Sequence, residues 1–390
     1  MSRRSLIALG MFLATTGCAT PPEPGDPLPG LSVEERRRFD LGKARFERVF
    51  TPQTGLGPLF NADACAECHE DPAVGGRGDE VEVHVAAFRP ESSFCDPLVE
   101  KGGIVIQQVA TPALRAALGI DSEPLPHEAT AVAHRTAPDL LGFGLLDAVP
   151  DSAILALADP DDRNHDGISG RPNRFFDGRL GRFGRKALVP ALDEFNAGAY
   201  VIEQGITSPV VLTEETIGGL AIPADVDSVS EPEISQETLD LTNAFVRFLA
   251  PPSHRLGGEE GQHGKNLFNK IGCAACHHPV LTTGNSPVEA LRYKKVAAYT
   301  DLLLHDMGPE LADICLGLAE PSEFRTEPLM GLRFALDPDE GEPAFLHDGR
   351  AKTIEEAIRM HGGEGAASRD KFAGLSERDR RALLHFLKSL

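Results

Sequence analysis

The chain has 390 residues, a formal charge of −21 at pH 7 and 41% hydrophobic residues. That length allows two or three domains with ordinary cores. The acidic balance argues against nucleic acid and against a polybasic hold on a membrane, and it favours a small, positively charged partner.

Residues 1–18 read as a targeting segment: Arg3 and Arg4, an apolar run over 6–14, then Thr16-Gly17-Cys18. The run is too short to span a bilayer. Its ending resembles a bacterial lipoprotein signal, which makes Cys18 the lipidated first residue and places the protein in the periplasm, anchored to the outer membrane. Residues 19–30 are Pro-rich and read as a tether outside any core. Residues 31–50 predict an amphipathic helix with Phe39, Ala44, Phe46 and Val49 among charges, and Ser32 with Glu35 forms a capping box at its start.

Cys65-Ala66-Glu67-Cys68-His69 follows, and the pattern returns as Cys273-Ala274-Ala275-Cys276-His277. Cys-x-x-Cys-His is the attachment signature of a c-type haem. Each thiol adds to a vinyl group, and His69 or His277 then lies beneath the ring as an iron ligand. With seven Cys and 13 His, a single chance match is expected in about one such chain in 240, so two matches are a strong signal. A redox dithiol would not need the histidine. A single zinc would be offered too many ligands.

Residues 71–237 hold an alternating stretch at 81–85 and much turn chemistry. Asp162, Asn164 and Asp166 with Gly167 form the first half of a calcium loop. Asn173 stands where a bidentate Glu is expected, so the alternatives are a weak calcium loop and an Asx-rich turn. A helix over 238–249 carries Leu239, Thr242, Phe245, Val246 and Leu249 and is stopped by Pro251-Pro252. The second motif is preceded by a helix over 259–271 and followed by one over 376–390, which carries Leu383, Leu384, Phe386 and Leu387 behind Ser376.

A helix, Cys-x-x-Cys-His, a ligand-bearing loop and a closing helix make the plan of a small cytochrome c domain, used twice. The reading is a mainly α protein with two cytochrome c-like haem domains: 31–250, enlarged by a loop-rich insert, and 251–390. Cys95 and Cys315 are left over and pair naturally as a disulfide in an oxidising compartment, two separate thiols being the alternative. Ile354, Ala357, Ile358 and His361 share one helix face, making His361 the candidate second ligand of the His277 iron, with Met360, Met330 and Met307 in reserve.

These motifs are joined by Gly55-Leu56-Gly57-Pro58-Leu59-Phe60-Asn61, Gly142-Phe143-Gly144-Leu145-Leu146-Asp147, Asp166-Gly167-Ile168-Ser169-Gly170, Leu304-His305-Asp306-Met307-Gly308, Phe345-Leu346-His347-Asp348-Gly349-Arg350 and His361-Gly362-Gly363-Glu364. Together they resemble the di-haem oxidoreductase family, which is related to bacterial di-haem cytochrome c peroxidases and to the di-haem enzyme that matures methylamine dehydrogenase. The resemblance implies a relay haem on His277 and a reactive haem on His69. It implies a small cytochrome or copper protein as electron donor and peroxide as oxidant. Glu203 takes the acid–base role, the alternative being that Glu194 and Glu203 are solvated charges on a helix. Phe176 stands where relatives have an inter-haem tryptophan and Phe195 where they have glutamine. The resemblance also implies a calcium ion near Thr326 and Pro328, with Thr136 replacing an asparagine. His84, His127 and His134 are each able to cap the first iron. A pure electron carrier and an oxygenase that uses O2 on an apolar substrate are the competing functions.

Overall fold

The computed structural model describes residues 21–255, 257–336 and 343–390. The signal-like segment ending at Cys18 lies outside the described residues. Among the described residues, no helix is long and apolar enough to cross a membrane.

Helix α1 (Val33–Phe46) starts with the expected capping box: Glu35 N donates to Ser32 Oγ (3.2 Å) and Ser32 N to a Glu35 carboxylate oxygen (2.7 Å). Its buried face is Phe39, Gly42 and Phe46. Ala44 is exposed and Val49 is 60% exposed, against expectation. At 100° per residue Ala44 lies about 200° around from Gly42, on the far side. Helices α2 (Leu192–Gln204) and α3 (Gln236–Phe248) complete the first helical group. The second group is α4 (Gly258–Ile271), α5 (Ile354–Met360), α6 (Ala366–Ala373) and α7 (Glu377–Leu387), the last capped by Ser376.

The two groups share one construction. α1 crosses α3 so closely that a Cβ on Gly42 would lie 2.1 Å from Leu241 O, and α4 crosses α7 so closely that a Cβ on Gly264 would lie 2.0 Å from Ala382 O. One turn on from each glycine stands a phenylalanine. Phe46 packs on Phe245 (5.0 Å between ring centroids) and on His69 (6.1 Å); Phe268 packs on Phe386 (5.5 Å) and on His277 (6.4 Å). Each crossing therefore presses an aromatic ring against the histidine of a Cys-x-x-Cys-His motif. Gly264→Ala is expected to cost about 1–3 kcal/mol through overpacking, read as a lower denaturation midpoint; an unchanged midpoint would show that the crossing gives way freely.

The fold is mixed, 35% helical and 14% strand, rather than mainly α. The difference comes from the region after the first motif. Strand β1 (Val81–Arg89) pairs antiparallel with β2 (Phe94–Asp96), β3 (Val105–Ile106) and β4 (Ala131–Thr136). Further on, β5 (Leu304–Asp306) pairs with β6 (Glu323–Arg325). Glu82 and His84 share one face of β1, two residues apart.

Pro251 separates the two helical groups but not two cores. Leu281, Leu291, Val296, Leu302 and Leu303 pack into the same apolar cluster as Phe39, Phe46 and Phe245. The Pro-rich stretch departs from expectation too: Leu28 is 5% exposed within that cluster, and its N–H donates to Phe248 O (2.8 Å). One leucine side chain and the free carbonyls at the end of α3 are enough to dock it.

The expected Cys95–Cys315 disulfide is present, with Cα atoms 5.8 Å apart, and it ties β2 to the segment before β6. Beside it Asp313 is buried with Arg135 (2.7 Å) and Lys186 (2.8 Å). Burial pulls the Lys186 amine down to about 7, against the pull of the Asp313 charge.

Candidate cofactor site

α4 ends at Gly272 in the left-handed region (φ 103°), and the chain reverses into the turn Cys273–Ala275. Cys273, Cys276 and His277 then line a deep cavity with Phe268, Ile354, Ile358 and His361. His361 is the capping residue at the end of α5, on the expected face. His277 Nδ1 donates to Tyr299 O (3.1 Å) and His361 Nδ1 to Ala357 O (2.8 Å). That tautomer leaves both Nε2 lone pairs free. Burial keeps both rings neutral. It pulls His277 down to about 4, the nearby His361 ring making a second positive charge costlier still, and lowers His361 as well. Met307 and Met330 line the same cavity, whereas Met360 faces a separate cleft with Arg359 and Gly362.

The first motif repeats the anchoring. His69 Nδ1 donates to Gly76 O (2.9 Å), and burial holds the ring neutral. The C-terminal end of α2 is laid against it. In the orientation that pairs all its groups, the Gln204 amide oxygen accepts from Cys65 N (3.1 Å) and Ala64 N (3.3 Å). Glu203 accepts from Asn61 Nδ2 (2.9 Å), and its charge is felt by both Cys65 and Cys68. Burial first, and the Glu82 charge second, raise the Glu203 carboxyl well above the usual range, against the Asn61 hydrogen bond. Glu82 is bonded to His84 Nε2 (2.9 Å) and also acts on His69. Of the three candidate capping histidines only His84 is buried; His127 and His134 are exposed. Glu194 is paired with Arg179 away from this site (2.6 Å). Asn61, Glu82 and Gln204 were missed in the sequence, although Asn61 closes one motif and Gln204 follows Glu203.

The thiols themselves select the chemistry. Burial pushes Cys65 and Cys273 up to about 12, and raises Cys68 and Cys276 too. A redox dithiol needs a depressed value, so that alternative fails. Among the described residues, the groupings tight enough for a single ion consist of carboxylates and include neither motif; the zinc alternative fails with it. Buried neutral thiols, neutral imidazoles with one nitrogen anchored, and a mostly apolar cavity do fit a covalently held haem.

Three distant motifs also meet here. Ser169 Oγ donates to Glu364 (2.6 Å), and Glu364 bonds His305 Nδ1 (2.6 Å), whose Nε2 faces Asp301 (2.8 Å). Burial pulls the His305 value down, but hydrogen bonds to Asp301, Cys276 and Glu364 outweigh it and push it up to about 12. An imidazolium thus sits 3.5 Å from the Cys276 sulfur.

Phe176 is 67% exposed, at the tip of a turn in which Arg179 pairs with Asp177 (2.7 Å). Phe195 packs at the edge of the core. Near the expected calcium position the Thr136 carbonyl accepts from Arg185 (3.0 Å), and Glu327 is held by Arg185 (3.0 Å) and Arg325 (2.7 Å). The Thr326 carbonyl, next to Pro328, accepts from the Thr300 hydroxyl (2.6 Å). In the other loop, Asp162, Asn164 and Asp166 accept from the backbone N–H groups of 166–168 (2.9–3.2 Å), as an Asx-rich turn does.

The two Cys-x-x-Cys-His motifs are anchored alike, each histidine donating Nδ1 to a backbone carbonyl, and the second lines a cavity. Residues 119–390 match the family described as "Di-haem oxidoreductase, putative peroxidase", and the chain belongs to that family. The first motif precedes the matched residues. Among solved structures, the chain is similar to hydrazine synthase of Kuenenia stuttgartiensis (14% identity, 100% of both chains covered, TM-score 0.40). It is also similar to a MauG-like protein associated with microbial copper homeostasis (17% identity, 93% of this chain and 92% of the other, TM-score 0.40). No curated protein matches.

Proposed function

We propose that this is an exported di-haem peroxidase. Haem is covalently held at Cys65 and Cys68 with His69 as ligand, and at Cys273 and Cys276 with His277 and His361 as ligands. The asymmetry between the two sites carries the reading. The second offers two neutral imidazoles with free Nε2 atoms to one cavity; the first offers one, beside a Glu203 carboxyl of raised proton affinity oriented by Asn61. The first therefore suits an exchangeable ligand and the second suits electron relay. When bound, the haems supply the electron storage and peroxide reduction that protein side chains lack. Glu203 moves a proton between the two peroxide oxygens, while Asn61 fixes its carboxylate and Glu82 helps to raise its proton affinity. A small cationic cytochrome or copper protein is the electron donor, in keeping with the net charge of −21. The protein works in the periplasm, tethered through lipid on Cys18.

Mixing half-reduced protein with hydrogen peroxide in a stopped-flow spectrometer tests this. A second-order change of the Soret band confined to the His69 haem is expected. No reaction in any redox state would establish the electron-carrier alternative. Stable O2 binding, with consumption only when an apolar substrate is added, would establish the oxygenase.

A further inference from the structure

One wall of the His277 cavity is not apolar. Arg77, Arg185 and Arg325 line it, and each keeps one buried N–H group without a partner: Nε of Arg77, Nε of Arg185 and Nη1 of Arg325. Their other donors are placed. Arg77 Nη2 reaches Phe334 O (3.1 Å), Arg185 reaches Thr136 O and Glu327, and Arg325 Nε reaches Gly184 O (3.1 Å). The Arg325 side chain is 1% exposed, so no solvent satisfies its Nη1. Thr326 Oγ1, on the same wall, is buried and unpartnered as well. Buried donors without partners are rare and mark a missing acceptor.

The charges agree with the donors. Three guanidiniums face the Glu327 carboxylate, whose value is lowered by Arg325 and Arg185 despite burial, while the Glu364 and Asp301 carboxylates are taken up by His305. The nearby Asp139 is pushed up to about 7 by burial, so it balances little more. Left alone, this wall holds more buried positive than negative charge, which is costly. Guanidinium forks match carboxylates in geometry as well as in charge.

We infer that the wall is the clamp for the two propionate carboxylates of the haem attached at Cys273 and Cys276. Arg77 and Arg185 come from before the Pro251 junction and Arg325 from after it, so one cofactor is gripped by both halves of the chain. The inference rests on haem attachment at the second motif. It adds that positioning residues on the other side of the junction set the potential of that haem.

Arg77→Gln and Arg185→Gln, made separately, test it, with Arg185→Lys as the conservative partner. Mass spectrometry and pyridine haemochrome assay first count the attached haems; absence of haem from the second motif in the parent would reject the attachment reading itself. With both haems in place, a potentiometric titration followed by electron paramagnetic resonance resolves the two irons. Each Gln variant is expected to shift the ferric–ferrous equilibrium of the His277 haem about tenfold toward ferric, about 59 mV lower for a one-electron couple, and Arg185→Lys should restore most of it. A His277 haem within twofold of the parent equilibrium in both Gln variants would overturn the clamp. So would a shift confined to the His69 haem, which would assign these donors to the other cofactor.

Discussion

Replacing Glu203 by Gln is expected to slow the peroxide reaction of the half-reduced protein by about 10²–10⁴-fold, the usual contribution of a positioned acid–base group. The substitution keeps shape and an oxygen able to accept from Asn61 Nδ2, but it removes the group that takes and returns a proton. The pH profile follows from the direction of the shift. Burial and the Glu82 charge raise the carboxyl well above its usual range, so it holds its proton to higher pH than a free carboxyl does. Its proton-accepting form is the carboxylate. The parent rate should therefore rise with pH and level off above the raised value, while the Gln variant stays flat. Glu82→Gln removes one of the two causes, so the profile should move to lower pH with its shape retained. A Glu203→Gln variant with the parent's rate and pH profile would remove this carboxyl from the mechanism.

Much of this site was legible because local chemistry dictates it. The capping box at Ser32, the two Cys-x-x-Cys-His motifs, the Ile354–Ile358–His361 face and the leftover Cys95 and Cys315 each need only near neighbours or parity to be recognised. What escaped depends on partners far away in the chain. Gly42 and Gly264 look like weak points in their helices until the crossing carbonyls of Leu241 and Ala382 are in view. β3 has two residues, too few to show any alternation, so its pairing with His84 and Val83 on β1 left no trace. Phe176 takes its expected place from the Asp-Gly-Arg that follows it. Those residues build a turn, and the tip of a turn faces solvent. The surroundings of the expected calcium position were hidden for another reason: a carbonyl or carboxylate can also accept from a guanidinium, and Arg185 and Arg325 arrive from elsewhere. Glu203 stands out from its setting among motifs, but no pattern announced that Glu82, on a distant strand, would help to raise its proton affinity.

The second large effect is expected at His361. Changing it to Ala removes an imidazole from the cavity that His277 also lines, and should turn that haem alone from low-spin to high-spin with both haems still attached. The cavity offers replacements. Met307 and Met330 line it, and a thioether that moves in would keep the iron low-spin but raise its potential. Axial ligands spread haem potentials over roughly 0.8 V, so the two results are easily told apart, and either identifies His361 as the parent ligand. His361→Met sharpens the test. The α5 backbone and the Ile354 and Ile358 contacts stay, the Nδ1 anchor to Ala357 O is lost, and a sulfur stands where the imidazole stood. Low-spin iron with a raised potential is expected there. A His277 haem with unchanged spin state and unchanged potential in both variants would show that His361 does not reach the iron. The asymmetry between the two sites, and the relay role built on it, would then have to rest on a different ligand.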